Sequence, residues 1–422
     1  MDASLVKDYI SNRIKAKPPF FVKREIKLET SSGKATTIIG PRRAGKTYLM
    51  LQELFEHERG EALYLDFEDI ALKGISAIDA LKVITEVFSE VTGKKADTVF
   101  LDEIQNVTDW QSLVRTLLDR GYRVYATGSS SKLLSKEIAT QLRGRSLGFL
   151  LLPFSFRECL LATNQAIDTN SLTEVGRAKN LLTTYLESGG YPEVVLGKMD
   201  KERLLGEYRE LIFFKDFVER QKAKSIDVAR FIFNFVTQSF AGEMSVRKVL
   251  NSLKSNGVRF GSNTVYDYVE KLQDTMIFFF IDRYSTKISV RSGWPKKVYL
   301  ADNGLAWKLP YDRGRLMENC VFLQLKRKLK LEPLDELYYY RDAGNHEVDF
   351  LVKSNHGIKE LLQVTFASDR AEIKKSEVES LLKAGRELRC RDLTVITWDY
   401  GQSRNFKGQK VAFIPLWKWL LG

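Results

Sequence analysis

The chain has 422 residues, too many for one ordinary core, and predicts two or three domains. Its 44% hydrophobic and 28% charged residues exclude a disordered chain, and no apolar run reaches the ~20 residues of a membrane-spanning helix. The net charge of +12 fits an anionic partner such as nucleic acid, and equally a basic protein without one.

The N-terminus, MDASLVKDYISNRIK, lacks the apolar stretch of a signal peptide, so a cytoplasmic location and no membrane partner are expected. Residues 34–40, KATTIIG, are rich in β-branched side chains and predict a short strand. The loop Gly40-Pro41-Arg42-Arg43-Ala44-Gly45-Lys46-Thr47 follows and fits GxxxxGK[ST] in full. A helical pattern begins at Tyr48, which closes the set of candidate nucleotide-contacting residues. Glycines let the backbone curl so that several N–H groups face phosphates, and the helix adds its positive end. Lys46 is expected to bridge the β- and γ-phosphates of ATP, and the Thr47 hydroxyl to ligate Mg²⁺. The absence of an NKxD stretch favours ATP over GTP.

Residues 61–69, EALYLDFED, and 98–103, TVFLDE, are apolar strands ending in acids. A carboxylate at such a place is costly without a cation. Asp102 is therefore expected to hold Mg²⁺ through water, and Glu103 to orient or deprotonate the attacking water. A strand at 123–127 leads into Ser129 and Ser130, of which one is expected to sense the γ-phosphate; a turn capping the next helix is the bland reading. Arg145, or else Arg143, precedes a fifth strand at 147–152 and is a candidate γ-phosphate arginine, in its own subunit or in a neighbour. Strands alternating with helices predict an α/β fold with a parallel sheet, its ligand beyond the carboxyl ends of the strands.

Residues 171–222 predict helices broken at Gly189, Gly190 and Pro192. From 226 onward, three helices and two strands predict a winged helix-turn-helix. Residues 220–300 hold 14 Lys or Arg against 6 Asp or Glu, so +8 of the net +12 falls here and DNA becomes a candidate partner. Arg247, Lys248, Lys254, Arg259, Lys271, Lys287 and Arg291 are the candidate phosphate contacts. The third helix, with Asp267 and Glu270, is a poor base-reading face, so a lid or protein-docking module stays open. Cys159, Cys320 and Cys390 lie far apart and form no CxxC pair, which argues for neither disulfides nor zinc.

GPRRAGKT, FLDEIQNV, ATGSSSKLLS and LRGRS before LLPFSFRE resemble a family of archaeal and bacterial AAA-type P-loop ATPases of the class with a catalytic glutamate after the magnesium aspartate. GGYPEVV, VYLADNGL, GRLMENCVFLQL and YYYRDAGNHEVDFLV carry the rest of the resemblance, which spans most of residues 35–365. It implies an ATPase domain at 1–160, a helical and winged-helix region at 161–305 and a PD-(D/E)XK nuclease-like domain at 306–422. In that nuclease pattern Glu318 falls on the first helix and Asp349 on a strand, but Gln363 and Thr365 stand where Glu and Lys are wanted. A degenerate nuclease scaffold follows, with Lys374 or Lys375 on the next helix as candidate replacement cations, or with Glu347 and Asp349 simply paired to Arg341 or Lys353. The functions left in play are a Mg²⁺-dependent ATPase coupled to DNA, a nucleotide-dependent assembly switch with a protein partner or as a homo-oligomer, and an ATP-dependent nuclease.

Overall fold

The computed structural model describes residues 2–58, 60–128, 142–165, 171–197, 199–285, 295–309, 312–329 and 335–422. The chain divides into two compact units, Met1–Pro153 and Phe154–Gly422. The stretches assigned from sequence to 161–305 and 306–422 thus share one unit.

In the first unit, helix α1 (Ala3–Lys15) starts where the Asp2 carboxylate caps two free N–H groups, and it buries Val6, Tyr9 and Ile10. Five parallel strands follow: β1 (Ala35–Ile39), β2 (Ala62–Asp66), β3 (Thr98–Asp102), β4 (Arg123–Gly128) and β5 (Ser146–Leu150). Their order is β2-β3-β4-β1-β5, so one strand separates the strand ending in the glycine-rich loop from the strand ending in Asp102. Every residue of β1 and β3 is buried, which is why both read as unbroken apolar or β-branched runs. Helix α2 (Lys46–Leu54) follows β1 directly. Helices α3 (Ala77–Lys82) and α4 (Phe88–Thr92) flank a π-helical turn, Val83–Val87. Helix α5 (Trp110–Asp119) buries Trp110, Leu113, Val114, Leu117 and Leu118, one stripe at helical spacing. This parallel sheet with covering helices is the α/β fold of a P-loop NTPase.

The second unit begins with helices α6 (Phe156–Ala162), α7 (Leu172–Ser188), α8 (Pro192–Val195) and α9 (Lys201–Leu211). Next come helix α10 (Ile226–Gln238), strand β6 (Gly242–Met244), helices α11 (Val246–Ser255) and α12 (Ser262–Leu272), then strands β7 (Phe278–Ile281) and β8 (Lys296–Leu300). The three strands form an antiparallel sheet in the order β6-β8-β7. Helix α13 (Arg313–Lys328) leads to the strands β9 (Glu336–Arg341), β10 (Glu347–Ser354) and β11 (Gly357–Val364), then helix α14 (Lys375–Glu387) and strands β12 (Leu393–Thr397), β13 (Gln402–Phe406) and β14 (Gln409–Pro415). They make a six-stranded mixed sheet in the order β13-β14-β12-β11-β10-β9. The chain ends in a short helix, α15 (Leu416–Leu421), with Trp417 and Trp419 buried.

The GGYPEVV and LADNG motifs meet in this unit. The Asp302 carboxylate accepts from the Gly190 and Gly304 N–H groups at 2.7 and 2.8 Å. A Cβ on Gly189, whose φ is +76°, would lie 1.6 Å from that carboxylate, so a glycine is required on two counts. The motif is explained by packing.

Candidate functional site

Gly40 leaves β1 so close to the chain after β5 that a Cβ there would sit 2.1 Å from the Leu151 carbonyl oxygen. The loop closes with Arg43 at φ +64° and Gly45 at φ +95°, left-handed turns that aim the backbone into the start of α2. Lys46 is buried, and its Nζ lies 3.1 Å from both the Gly40 and Pro41 carbonyl oxygens, so the side chain folds along the inside of the loop. Pro41 and Ala44 are buried; Arg42 and Thr47 are half-buried; Arg43 and Tyr48 are exposed. The edge of the Tyr48 ring meets Phe21, with centroids 6.5 Å apart.

Arg24, which no motif singles out, holds the loop from the N-terminal segment. Its guanidinium donates to the Ala44 carbonyl at 2.9 Å and the Leu152 carbonyl at 2.6 Å.

Register puts the acids at the same sheet edge. Ile38 pairs with Thr127, and Leu101 with Ala126, so the end of β1 and Asp102 stand level across β4. Two strand spacings separate them, about 10 Å. Asp102 is 2% exposed. The Tyr64 hydroxyl donates to its Oδ2 at 2.7 Å, and the Thr127 hydroxyl donates to its Oδ1. Burial, and then the Asp102 charge, pushes the Tyr64 phenol far up, so it keeps its proton as a donor. The Thr127 hydroxyl also accepts from the Glu103 N–H at 3.0 Å, which locks Glu103 in a left-handed backbone with φ +50°. The Gln105 amide donates to the Glu103 carboxylate. Burial, and then the Glu103 charge, raises the Glu68 carboxyl, with Arg42 opposing.

Sequence reasoning passed over Tyr64 and Thr127. The signal for Thr127 was its place as the last polar side chain of β4, two residues before the serine that was chosen. Ser129 and Ser130 lie outside the described residues.

Arg145 is not at this edge. Its carbonyl oxygen accepts from the Ala35 N–H, at the first residue of β1, and its guanidinium binds the Gly33 carbonyl at 3.0 Å and Asp119 at 2.6 Å. Five residues of parallel strand separate it from Gly40, about 16 Å. A reach to phosphate in its own subunit is therefore corrected: β5 runs parallel to β1, so what precedes it lies at the amino edge. Arg143, in the turn just before, shares that placement.

In the second unit, Glu318 on α13, Asp349 on β10 and Gln363 on β11 do come together, around a residue the sequence reading missed. Lys297, on β8, is 3% exposed. Its Nζ lies 2.9 Å from Glu318 Oε1, 2.7 Å from Glu347 Oε1 and 2.9 Å from Asp349 Oδ1. The Gln363 amide donates to Asp349 Oδ2 at 2.8 Å, beside the Val364 N–H at 2.9 Å. Tyr299 donates to Glu318 at 2.7 Å. Asp349 sits where the β9–β10 register slips between Val348 and Leu351, an irregularity that re-aims a strand side chain. Asn319, fully buried, exchanges hydrogen bonds with the Leu300 backbone and fixes α13 against the end of β8.

Burial acts to lower the Lys297 pKa, but Asp349, Glu318 and Glu347 override it, so the ammonium stays charged. Burial raises Glu318 to about 7 against the pull of Lys297. The replacement cations named from sequence are elsewhere. Lys374 and Lys375 are exposed and face Glu377 and Glu379, while Lys353 pairs with Glu336. Glu347 does pair with Arg341, in addition to Lys297. Among the described residues, no group of three or more His, Cys, Asp or Glu is arranged to hold a metal ion. No described helix is long and apolar enough to cross a membrane.

The sheet order, glycine-rich loop and paired acids define an AAA-type P-loop ATPase domain. A family model described as an AAA domain matches residues 32–160, and two models described as domains of unknown function match 179–314 and 313–419. The chain belongs to the family of the uncharacterized protein MJ1544 of Methanocaldococcus jannaschii, to which it is 34% identical over 417 residues, 96% of this chain and 92% of that protein. An uncharacterized protein of Haemophilus influenzae is 27% identical, over 90% of this chain and 93% of its own length. Cdc6p from Pyrobaculum aerophilum is similar to 71% of this chain over 88% of its own, at 10% identity and a TM-score of 0.24, too low to carry an argument.

Proposed function

We propose that the chain is a Mg²⁺-dependent ATPase that couples ATP turnover to DNA association. One observation carries the ATPase reading: Lys46 and the Asp102–Glu103 pair stand at one sheet edge, with Thr127 joining the two acids' positions. The residues fit both a triphosphate and Mg²⁺. Arg43 and Gly45 take left-handed φ values of +64° and +95°, the kind of turn that aims successive N–H groups into one concavity, as a phosphate cradle needs. Asp102 is a buried carboxylate met by two neutral hydroxyls, an environment that calls for a cation.

Gly40 to Thr47 would hold the triphosphate, and Thr47 with Asp102 would hold Mg²⁺, which supplies charge neutralisation at the phosphates. Lys46 would move from the Gly40 and Pro41 carbonyls onto phosphate oxygen. Thr127 orients Asp102 and Glu103 together, and Glu103 positions or takes a proton from water. In the test, Glu103→Gln keeps ATP binding and lowers turnover about 100–1000-fold. Ordinary turnover in that variant removes Glu103 from the mechanism.

The DNA half rests on residues 226–300. Helix, strand, two helices and two strands in the order β6-β8-β7 is the connectivity that a winged helix uses. Arg247, Lys248, Lys254 and Arg259 are exposed on α11 and the turn after it. Lys271 pairs with Asp267 at 2.8 Å, and Lys287 and Arg291 lie outside the described residues. Duplex binding should therefore be strong at low ionic strength and fall steeply with salt. Absence of binding at low salt leaves the second reading, docking of a protein through the exposed face of α12, where Tyr266, Asp267 and Glu270 are open.

A further inference from the structure

We propose that helix α1 supports the metal end of the ATPase site: through Arg13 and Tyr64 it holds the Asp102 carboxylate in place, which makes Tyr64 a positioning residue for Mg²⁺. This rests on the ATPase reading and extends the site to residues before β1, which carry none of its motifs. Three observations carry it.

The first is the Tyr64 hydroxyl. Tyr64 is 2% exposed. In the β2–β3 register it stands opposite Phe100, while Asp66 stands opposite Asp102. Tyr64 therefore reaches forward by two strand residues, about 6.6 Å, to donate to Asp102 Oδ2 at 2.7 Å. A phenylalanine would fill the same space. Only the hydroxyl needs this partner, and a charged acceptor makes the bond stronger than a neutral one would.

The second is what covers Tyr64. β2 is the outer strand of its sheet, and an open edge leaves backbone N–H groups without a strand partner. The Phe67 N–H donates inward, to the Asp102 carbonyl at 3.1 Å. The Asp66 N–H donates instead to the Tyr9 hydroxyl of α1, at 2.9 Å. Arg13 follows Tyr9 by four residues, on the same face of α1. Its guanidinium lies over both rings, 5.2 Å from the Tyr9 centroid and 5.0 Å from that of Tyr64, and 3.8 Å from the Asp66 carboxylate. Val6 and Ile10, both fully buried, anchor the helix that carries it.

The third is the same stretch of chain further on. Arg24 holds the Ala44 carbonyl of the glycine-rich loop. Residues before β1 thus touch both halves of the site, the loop through Arg24 and the metal acid through Arg13 and Tyr64. Hydrogen bonds that fix a ligating carboxylate are commonly worth about 10–100-fold in metal affinity. Displacement of α1 would loosen Asp102 and leave Lys46 in its loop.

The test uses the full chain with bound ADP and Mn²⁺ as the probe, free Mn²⁺ being counted by electron paramagnetic resonance. Metal-free ADP affinity is measured separately, in EDTA. Tyr64→Phe should weaken Mn²⁺ binding about 10-fold and leave metal-free ADP affinity unchanged. Arg13→Met should weaken it about 3-fold. Added to Tyr64→Phe, Arg13→Met should do nothing more, because its effect passes through the hydroxyl. Turnover should fall in the same order, and raising Mg²⁺ should restore it, which a packing fault would not allow. Wild-type Mn²⁺ affinity in a folded Tyr64→Phe overturns the proposal. So do additive effects of the two variants, or an equal loss of metal-free ADP affinity; these results leave the ATPase reading standing. If Tyr64→Phe does not fold, Arg13→Met decides, and wild-type Mn²⁺ affinity there overturns the proposal. A wild type that binds neither ADP nor Mn²⁺ overturns the ATPase reading and this proposal with it.

Discussion

At the edge of the first sheet, Asp102 and Glu103 are adjacent in the chain; in the second unit, Glu318, Glu347 and Asp349 come from a helix and a strand. Both are acid groups taken largely out of water. Asp102 meets two neutral hydroxyls, from Tyr64 and Thr127. Asp349 meets a buried ammonium, from Lys297. A carboxylate held by neutral donors is left able to attract a cation from solution, whereas one paired to a lysine is already neutralised. The same chemistry is open in one place and closed in the other.

The largest expected effect breaks the open site. Lys46→Ala should lower ATP turnover at least about 100-fold, because the donor to the phosphates is lost. Measured by calorimetry, the second unit's unfolding should not change. Next comes the closed site. Lys297→Ala should cost about 3–5 kcal/mol of stability, since it strands buried carboxylates. Lys297→Met with Glu318→Gln and Asp349→Asn should recover much of that in urea unfolding; no recovery would mean that packing, not charge, explains the loss. Thr127→Val should lower turnover about 10-fold, as expected for one hydrogen bond to a charged group, with ATP binding retained.

Asp302 sharpens the contrast, because it accepts from two backbone amides, those of Gly190 and Gly304, rather than from a lysine. Burial raises its pKa from 3.8 to about 7, against the Gly190 and Gly304 N–H groups. The folded form then holds a proton that the unfolded form releases. Stability from this group is full below the unfolded value, falls by about 1.4 kcal/mol per pH unit above it, and is gone once pH passes the folded value. Urea midpoints should therefore drop between about pH 4 and pH 7, and Asp302→Asn should flatten the drop. The smallest effect is that of Arg145→Ala: within about 1 kcal/mol in stability, as for a partly exposed ion pair, and no change in turnover. A collapse in turnover would mean that Arg145 serves a neighbouring copy.

The first site was legible because its parts are local. Gly40 to Thr47 form one loop, and Asp102-Glu103 end one strand, so the signals at 34–40 and 98–103 predict the two strands that are found at Ala35–Ile39 and Thr98–Asp102. The direction of β5 was implicit in the same reasoning. A parallel strand begins at the amino edge, so Arg145 was never near the loop. The second cluster is assembled from four separate segments, and its key member lies in a Lys-Lys pair that reads as surface charge. Only the partners across the fold make Lys297 an interior residue. Glu318, Asp349 and Gln363 were picked out through resemblance, and that pattern has no place for a lysine before α13.

Arg24 has a mechanical meaning. One guanidinium grips the Ala44 oxygen inside the glycine-rich loop and the Leu152 oxygen at the end of the first unit. Any shift of the Ala44 oxygen would therefore be felt, through Arg24, at the Leu152 oxygen. One side chain thus ties the phosphate-loop backbone to the last residues of its own unit.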